Sequence, residues 1–383
     1  MEIKQIQFHN QVFDRLLLEP LQQMDPMFVL VFADKKYLLD PVVVSGLEAA
    51  FPDAHCVGVS TAGEISNQGM SNESCVVTAI RFAHGSVRVA TAEVTTLEES
   101  RQAGVDVGKG LSGSDLRAVL LFAPGLAVNG CALIAGLSSI VGEEMDIVGG
   151  LACESGIIRQ TLVMSAAEVS AQRVVAVGLY GEHLAIRRCS QGGWVPFGPM
   201  RKVTRCEGHV LLELDGEPAL DLYSRYLGEY ARELPDSGLR FPFEMHHSRP
   251  FSADPGVIRT VLDVDRSRGG LILGGEVDPN GYVRLMHVTS AKLVSGAGQA
   301  ADCAQEQQMI SSPGLGLLIS CVGRKLIMGD QIVEELEMVR DRLGRQHTVT
   351  GFYAHSEIGP LGATRTCALH NLTMTIALIT EDV

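Results

Sequence analysis

Three glutamates, Glu64, Glu154 and Glu357, each stand just behind an apolar run: CVGVSTAGEI, DIVGGLACESGI and VTGFYAHSEI. A carboxylate at the end of an apolar strand is costly unless something compensates its charge. Two chemistries compete for that role. The carboxylates accept hydrogen bonds from an amino or hydroxyl group of a ligand, or they accept backbone N–H groups and pair with Arg159, Arg324 or Arg365. Small residues at Ser60, Thr61, Ala62 and Gly63 let backbone amides approach a ligand as glycine-rich loops do around anions, although tight packing against a neighbouring strand explains them equally well. With Cys153, Arg324, Tyr353 and His355 from the same or adjoining runs, the candidate ligand-binding set is Ser60, Thr61, Gly63, Glu64, Cys153, Glu154, Arg324, Tyr353, His355 and Glu357.

Other chemistries are less well served. Cys321 near Arg324, with His370 elsewhere, offers a nucleophile and a base for a hydrolase or transferase. Cys153 does not, because the neighbouring Glu154 carboxylate disfavours its thiolate. Neither has a triad context, and HExxH and GxxxxGK[ST] are absent, so binding without turnover is expected. Eleven histidines without a CxxCH motif exclude covalently attached haem. A non-covalent haem b needs an axial donor beside an apolar cavity. His355 ranks first for that role and His246 second.

These residues are positioned by a unit that occurs three times. The first copy is an apolar strand from Met27, an N-cap at Asp40 before Pro41, a short helix, and the strand leading to Glu64. The second is AVLLFAPG, Asn129 as N-cap, a helix to Val141, and the strand leading to Glu154. The third is LGLLISCVG, Asp330 as N-cap, a helix with Ile332, Leu336, Val339 and Leu343 on one face, and the strand leading to Glu357. Strand–helix–strand units with apolar strands predict parallel pairing with right-handed crossovers. Ligands then bind beyond the carboxyl ends of the strands, where the three glutamate loops would surround a pocket.

Between copies two and three, EPALDLYSRYLGEYARELP predicts an amphipathic helix, and IRTVLDVD, GGLILGGEV and YVRLMHV predict a small antiparallel meander. RFPFEMHHSRPFSADPG reads as an exposed loop or lid, and Ser290–Met309 as a helix. The expected class is α/β: repeated βαβ units forming mixed sheets, in two domains over 27–215 and 216–383. Hydrophobic residues make up 46% of the 383, enough for a substantial core. A net charge of −14 disfavours nucleic acid and anionic membrane as partners, and no apolar run suits a signal peptide or a spanning helix. The nine cysteines lack CxxC spacing, which predicts free thiols in a reducing cytoplasm.

NGCALIAGL, VGGLACESG, QGGWVPFGP, ELDGEPALDLYSRYLGE, SCVGRK, GFYAHSEIGP and HNLTMT resemble, in order, the signatures of the FIST family, over about Phe28 to Thr380. The resemblance implies a cytoplasmic signal-transduction sensor that passes ligand occupancy to a separate or fused output protein. One branch binds haem, senses nitric oxide and partners a histidine kinase; the wider family is inferred to bind amino acids or their derivatives. A free-standing chain fits the haem branch, and homo-oligomers are compatible with it. Two departures bear on ligand choice. Cys153-Glu154 stands where the family commonly has Gly-Asp, and His355-Ser356 replaces an aromatic and a glycine, supplying a titratable ring nitrogen. A protein that acts only through its surface is the remaining alternative.

Overall fold

The computed structural model describes residues 1–10, 12–247, 256–306, 312–360 and 366–381. Its body consists of three six-stranded mixed sheets built on one plan. In each, a central strand (Phe28–Ala33, Leu116–Ala123 or Leu315–Cys321) leads through a helix (Pro41–Ala50, Gly130–Val141 or Ile332–Leu343) to a parallel neighbour (His55–Ser60, Asp146–Leu151 or Thr348–Ala354). A hairpin follows, and a return strand (Ser74–Arg81, Arg173–Tyr180 or Met374–Glu381) pairs antiparallel with the central strand. An outer strand (Glu2–His9, Ser86–Glu93 or Leu184–Gln191) completes the set against the return strand.

The hairpins close this arrangement into a ring. The first unit's hairpin, Glu64–Ser66 and Gly69–Ser71, joins the third unit's sheet; the second unit's, Val163–Ser165 and Glu168–Ser170, joins the first; the third unit's, Ser356–Pro360 and Cys367–His370, joins the second. Every unit thus supplies a hairpin to another. Gly58, Gly149 and Gly351 occupy the same register position, opposite Met164, Ile358 and Ile65 of the incoming hairpins. At Gly149 a Cβ would lie 1.8 Å from the Leu121 carbonyl oxygen, and at Gly351 1.8 Å from that of Leu318. Only glycine permits that approach.

Inward-facing residues of all three sheets form one core, in which the rings of Phe32, Phe122 and Phe352 meet with centroids 4.9–6.3 Å apart. Helices pack outside. Asp40 and Asn129 cap their helices as expected, through Val42 N and Ala132 N. Asp330 does not: a helix over Val322–Met328 and a 3-10 turn over Gly329–Gln331 lead directly into Ile332–Leu343, so backbone bonds replace the side-chain cap.

Inserted in the third unit, between Leu184–Gln191 and the helix Ser290–Glu306, is a nine-stranded antiparallel sheet spanning Val195 to His287. Its helix Ala219–Leu227 buries Leu220, Leu222, Tyr223 and Leu227. The 215/216 division falls at the turn between two strands of this sheet, Val210–Leu214 and Glu217–Pro218, and the threefold body draws on both sides of it. Phe243–His246, expected in a loop, is a strand paired on both sides with Val257–Arg259 and Tyr282–His287. The remainder of that expected loop, 248–255, lies outside the described residues, as do Arg365 and the end of the 290–309 helix. Cys189 and Cys303 are joined by a disulfide, correcting the expectation that all thiols are free; the other seven are unpaired. Among the described residues no helix is long and apolar enough to cross a membrane.

Candidate functional site

The three loops beyond the strand ends do converge. Ser60 Oγ donates to the Cys153 carbonyl (2.8 Å) and accepts from Leu162 N–H (2.8 Å), joining units one and two. Ala62 N–H donates to the Tyr353 carbonyl, Tyr353 N–H to the Gly63 carbonyl, and His355 N–H to the Leu151 carbonyl. What these bonds enclose is packed protein, since Ser60, Ala62, Glu64, Cys153, Tyr353 and Glu357 are each at most 1% exposed. The expected pocket is therefore not at this junction, and the cavities beside the inserted sheet take none of the three glutamates into their walls.

The glutamates also differ from one another. Glu64 and Glu357 share a register position, and each accepts from the residue beginning the return segment: Ser74 N and Oγ (3.1 and 2.7 Å) and Thr373 N and Oγ1 (2.9 and 2.7 Å). Burial pushes them up to about 7 and about 8, respectively. Their equivalent in the second unit is Val163, paired with Val59 as Glu64 is with Phe352 and Glu357 with Gly150. Glu154 lies earlier, in the loop. Burial acts to raise its pKa, but the Lys35 ammonium and the N–H groups of Arg159 and Gln160 outweigh it and hold it below the usual range.

Arg324 pairs with none of the three. Its guanidinium is fully buried, bonded to Glu335 Oε1 and to the carbonyls of Gly192 (2.8 Å), Leu293 (2.9 Å) and Leu372 (3.3 Å). Tyr353 Oη donates to Glu335 Oε2 at 3.3 Å. Lys325 enters the junction, donating to the Ala62 carbonyl and Asn72 Oδ1 and lying over the Tyr353 ring. His355 packs so closely on Gly125 that a Cβ there would meet its ring carbon at 3.2 Å, and burial lowers its pKa. Burial also pushes the Cys321 thiol well up.

Open space lies instead between the threefold body and the inserted sheet. A cavity of about 210 Å³ is bordered by Ser190, Trp194, Glu244, Ile258, His370 and Thr373. Beside it His246 is buried, its Nε2 3.2 Å from Glu244 Oε2. Burial opposes the Glu244 charge, but His246 and Arg284 outweigh that effect and hold it at about 2. A larger cavity of about 630 Å³ lies on the other face of the strand Val257–Arg259, against the second unit's helix Gly130–Val141. Ile134, Val257, Val277 and Leu369 supply apolar wall, Arg259, Glu276 and Asp278 supply charge, and His247 supplies a ring nitrogen. Its size and position between two bodies suit a small organic ligand.

Arg259 is the polar centre of that cavity. It is 4% exposed, and among the described residues its donors reach the carbonyls of Leu369 (2.8 Å), Glu276 (3.3 Å) and Ile258 (3.4 Å), and Cys131 Sγ (3.7 Å). Among the described residues no carboxylate lies within ion-pair distance. Burial lowers its pKa, opposed by the nearby Cys131 and Glu276. The Glu276 carboxylate is held by Asn129 Nδ2 at 2.7 Å, so the helix cap also anchors the cavity wall. At the rim, His247 Nδ1 meets Asp278 Oδ2 at 2.8 Å. His246, singled out in the sequence as an axial candidate, borders this region, and strand alternation turns it towards the smaller cavity. Nothing in the spacing of Cys131 and Arg259 announces their contact.

No curated protein matches the sequence. Among solved structures, the cyanuric acid hydrolase from A. caulinodans is similar at a TM-score of 0.40 and 8% identity, covering 100% of this chain and 99% of that one. Residues 27–217 match the FIST N domain and 219–360 the FIST C domain, and the chain therefore belongs to the FIST family, whose domains serve in sensory signal transduction.

Proposed function

We propose that this chain senses a small carboxylate-bearing organic molecule, an amino acid or a relative of one, in the 630 Å³ cavity between the threefold body and the inserted sheet. The buried Arg259 guanidinium, with no carboxylate within ion-pair distance among the described residues, carries this reading. A buried cation satisfied only by neutral acceptors is costly, and a ligand carboxylate offers a charge-assisted partner. The walls belong to the second unit's helix, the third unit's hairpin and the inserted sheet, so a bound ligand favours one arrangement of the threefold body and the insertion. A signalling partner such as a histidine kinase reads that arrangement through its differential affinity.

A second reading, haem with nitric oxide as the signal, rests on His247. A ring whose Nδ1 faces a carboxylate is the usual form of a metal-ligating histidine, and its Nε2 has no hydrogen-bond partner among the described residues. His355 packs against Gly125 and lines neither of the two cavities described above, and His246 is buried against Glu244 beside the smaller one, so His247 replaces both as axial candidate. Bound haem would supply an iron that takes up nitric oxide.

Thermal denaturation against a panel of amino acids and dicarboxylates, alongside an absorbance titration with hemin, tests both. A ligand at a hundred times its Kd should stabilise the wild type by about 2.7 kcal/mol and leave Arg259→Gln unmoved. Equal stabilisation of the two proteins would reject the cavity as the site. A Soret band lost in His247→Ala would transfer the assignment to haem.

A further inference from the structure

The same cavity contains a thiol unlike the others. Cys131 is half-buried on its wall, in the first turn of the twelve-residue helix Gly130–Val141. The amino end of a helix carries positive partial charge, and Arg259 Nη2 stands 3.7 Å from the sulfur. Among the described residues no carboxylate lies within ion-pair distance of Arg259, although the Glu276 charge is nearby, so the helix end and the guanidinium both place positive partial charge beside an accessible sulfur, as at a nucleophilic thiol. Elsewhere the thiols are protected. Burial pushes Cys56 and Cys153 up to about 12, and does the same to Cys367 on this cavity's own wall. Burial together with the Asp278 and Glu207 charges raises Cys206.

We infer that Cys131 is a modification site that undergoes thiol–disulfide exchange with a small carboxylate-bearing disulfide admitted to this cavity. The inference rests on the proposed ligand site only in that the same Arg259 holds the carboxylate. The Cys131 thiolate attacks one sulfur of the disulfide, a new S–S bond forms as the old one breaks, and the released thiolate takes a proton from water. Cys131 is oxidised and the departing half is reduced, so no further oxidant is required. The volume and the cation select an organic disulfide over peroxide, which needs neither.

The test is incubation of the full chain with oxidised glutathione or with cystamine, a disulfide without carboxylates, followed by peptide mapping and rate measurement. Cys131 should carry the adduct, Cys131→Ser should carry none there, and Arg259→Gln should slow the glutathione reaction at least tenfold more than the cystamine reaction. Labelling spread evenly over Cys131, Cys206 and Cys367, or an unchanged rate ratio in Arg259→Gln, overturns the inference. A carboxylate that stabilises the protein while Cys131 stays unlabelled would sink this inference alone; labelling at Cys131 without stabilisation by any carboxylate would sink only the sensor reading.

Discussion

Glu335→Ala is expected to lower the unfolding free energy by about 3–5 kcal/mol, the cost of breaking a buried ion pair from one side. Arg324 and Glu335 are both fully buried. Glu335 Oε1 takes Nε (2.9 Å) and Nη2 of Arg324, while Oε2 takes Ser320 Oγ (3.2 Å) and Tyr353 Oη (3.3 Å). Removing the carboxylate strands a guanidinium among three carbonyls and leaves two hydroxyls without an acceptor. Those carbonyls explain why the pair is worth its desolvation. Gly192 lies just before the inserted sheet and Leu293 just after it, so one arginine grips both roots of the insertion, with Leu372 of the body between them. Denaturant midpoints check the number, and the double variant Arg324→Met/Glu335→Leu should recover most of the loss because neither charge remains buried. A single variant within 1 kcal/mol of wild type would mean that water reaches the guanidinium.

Much of the body was legible in the sequence because its units are local. Apolar run, cap, helix and second apolar run lie within one stretch of chain, and Asp40 and Asn129 act as their types and positions suggest. The ring closure was not legible, because each hairpin pairs with a strand far away in sequence, and no local pattern encodes that register. This is also why the glutamates misled. Glu154 matches Glu64 and Glu357 when counted from the helix cap, but register aligns Val163 with them. Counting along the chain cannot see an extra loop. Arg324 reads identically as a ligand contact and as a core strut until its neighbours are known. The interfacial cavity draws its walls from the second unit's helix, the inserted sheet and the third unit's hairpin, so Arg259 and Cys131 carried no signal before folding brought them together.

Between about pH 5 and pH 9 the stability of the wild type should fall by a few kcal/mol, and Glu357→Gln should remove most of that fall. Glu357 is fully buried; Oε2 accepts from Thr373, whereas Oε1 has no hydrogen-bond partner among the described residues beyond the nearby Cys321 thiol. Burial pushes its pKa from 4.5 up to about 8, outweighing the bonds from Thr373. The folded state therefore holds a proton that the unfolded chain releases near pH 4.5. Stability from this group is complete below that value and is lost as pH rises to about 8, because over that window the unfolded chain gains by ionising while the fold must keep the carboxyl protonated. Glu64, at about 7, adds a smaller loss of the same sign. Glutamine keeps an acceptor for Thr373 and cannot ionise, so the variant should be the less pH-sensitive protein and, above pH 8, the more stable one. Denaturant midpoints of both proteins across that range decide the matter: crossing curves identify a protonated Glu357, whereas parallel curves would show that the carboxyl is ionised in the fold and that its second oxygen has found a cation or water.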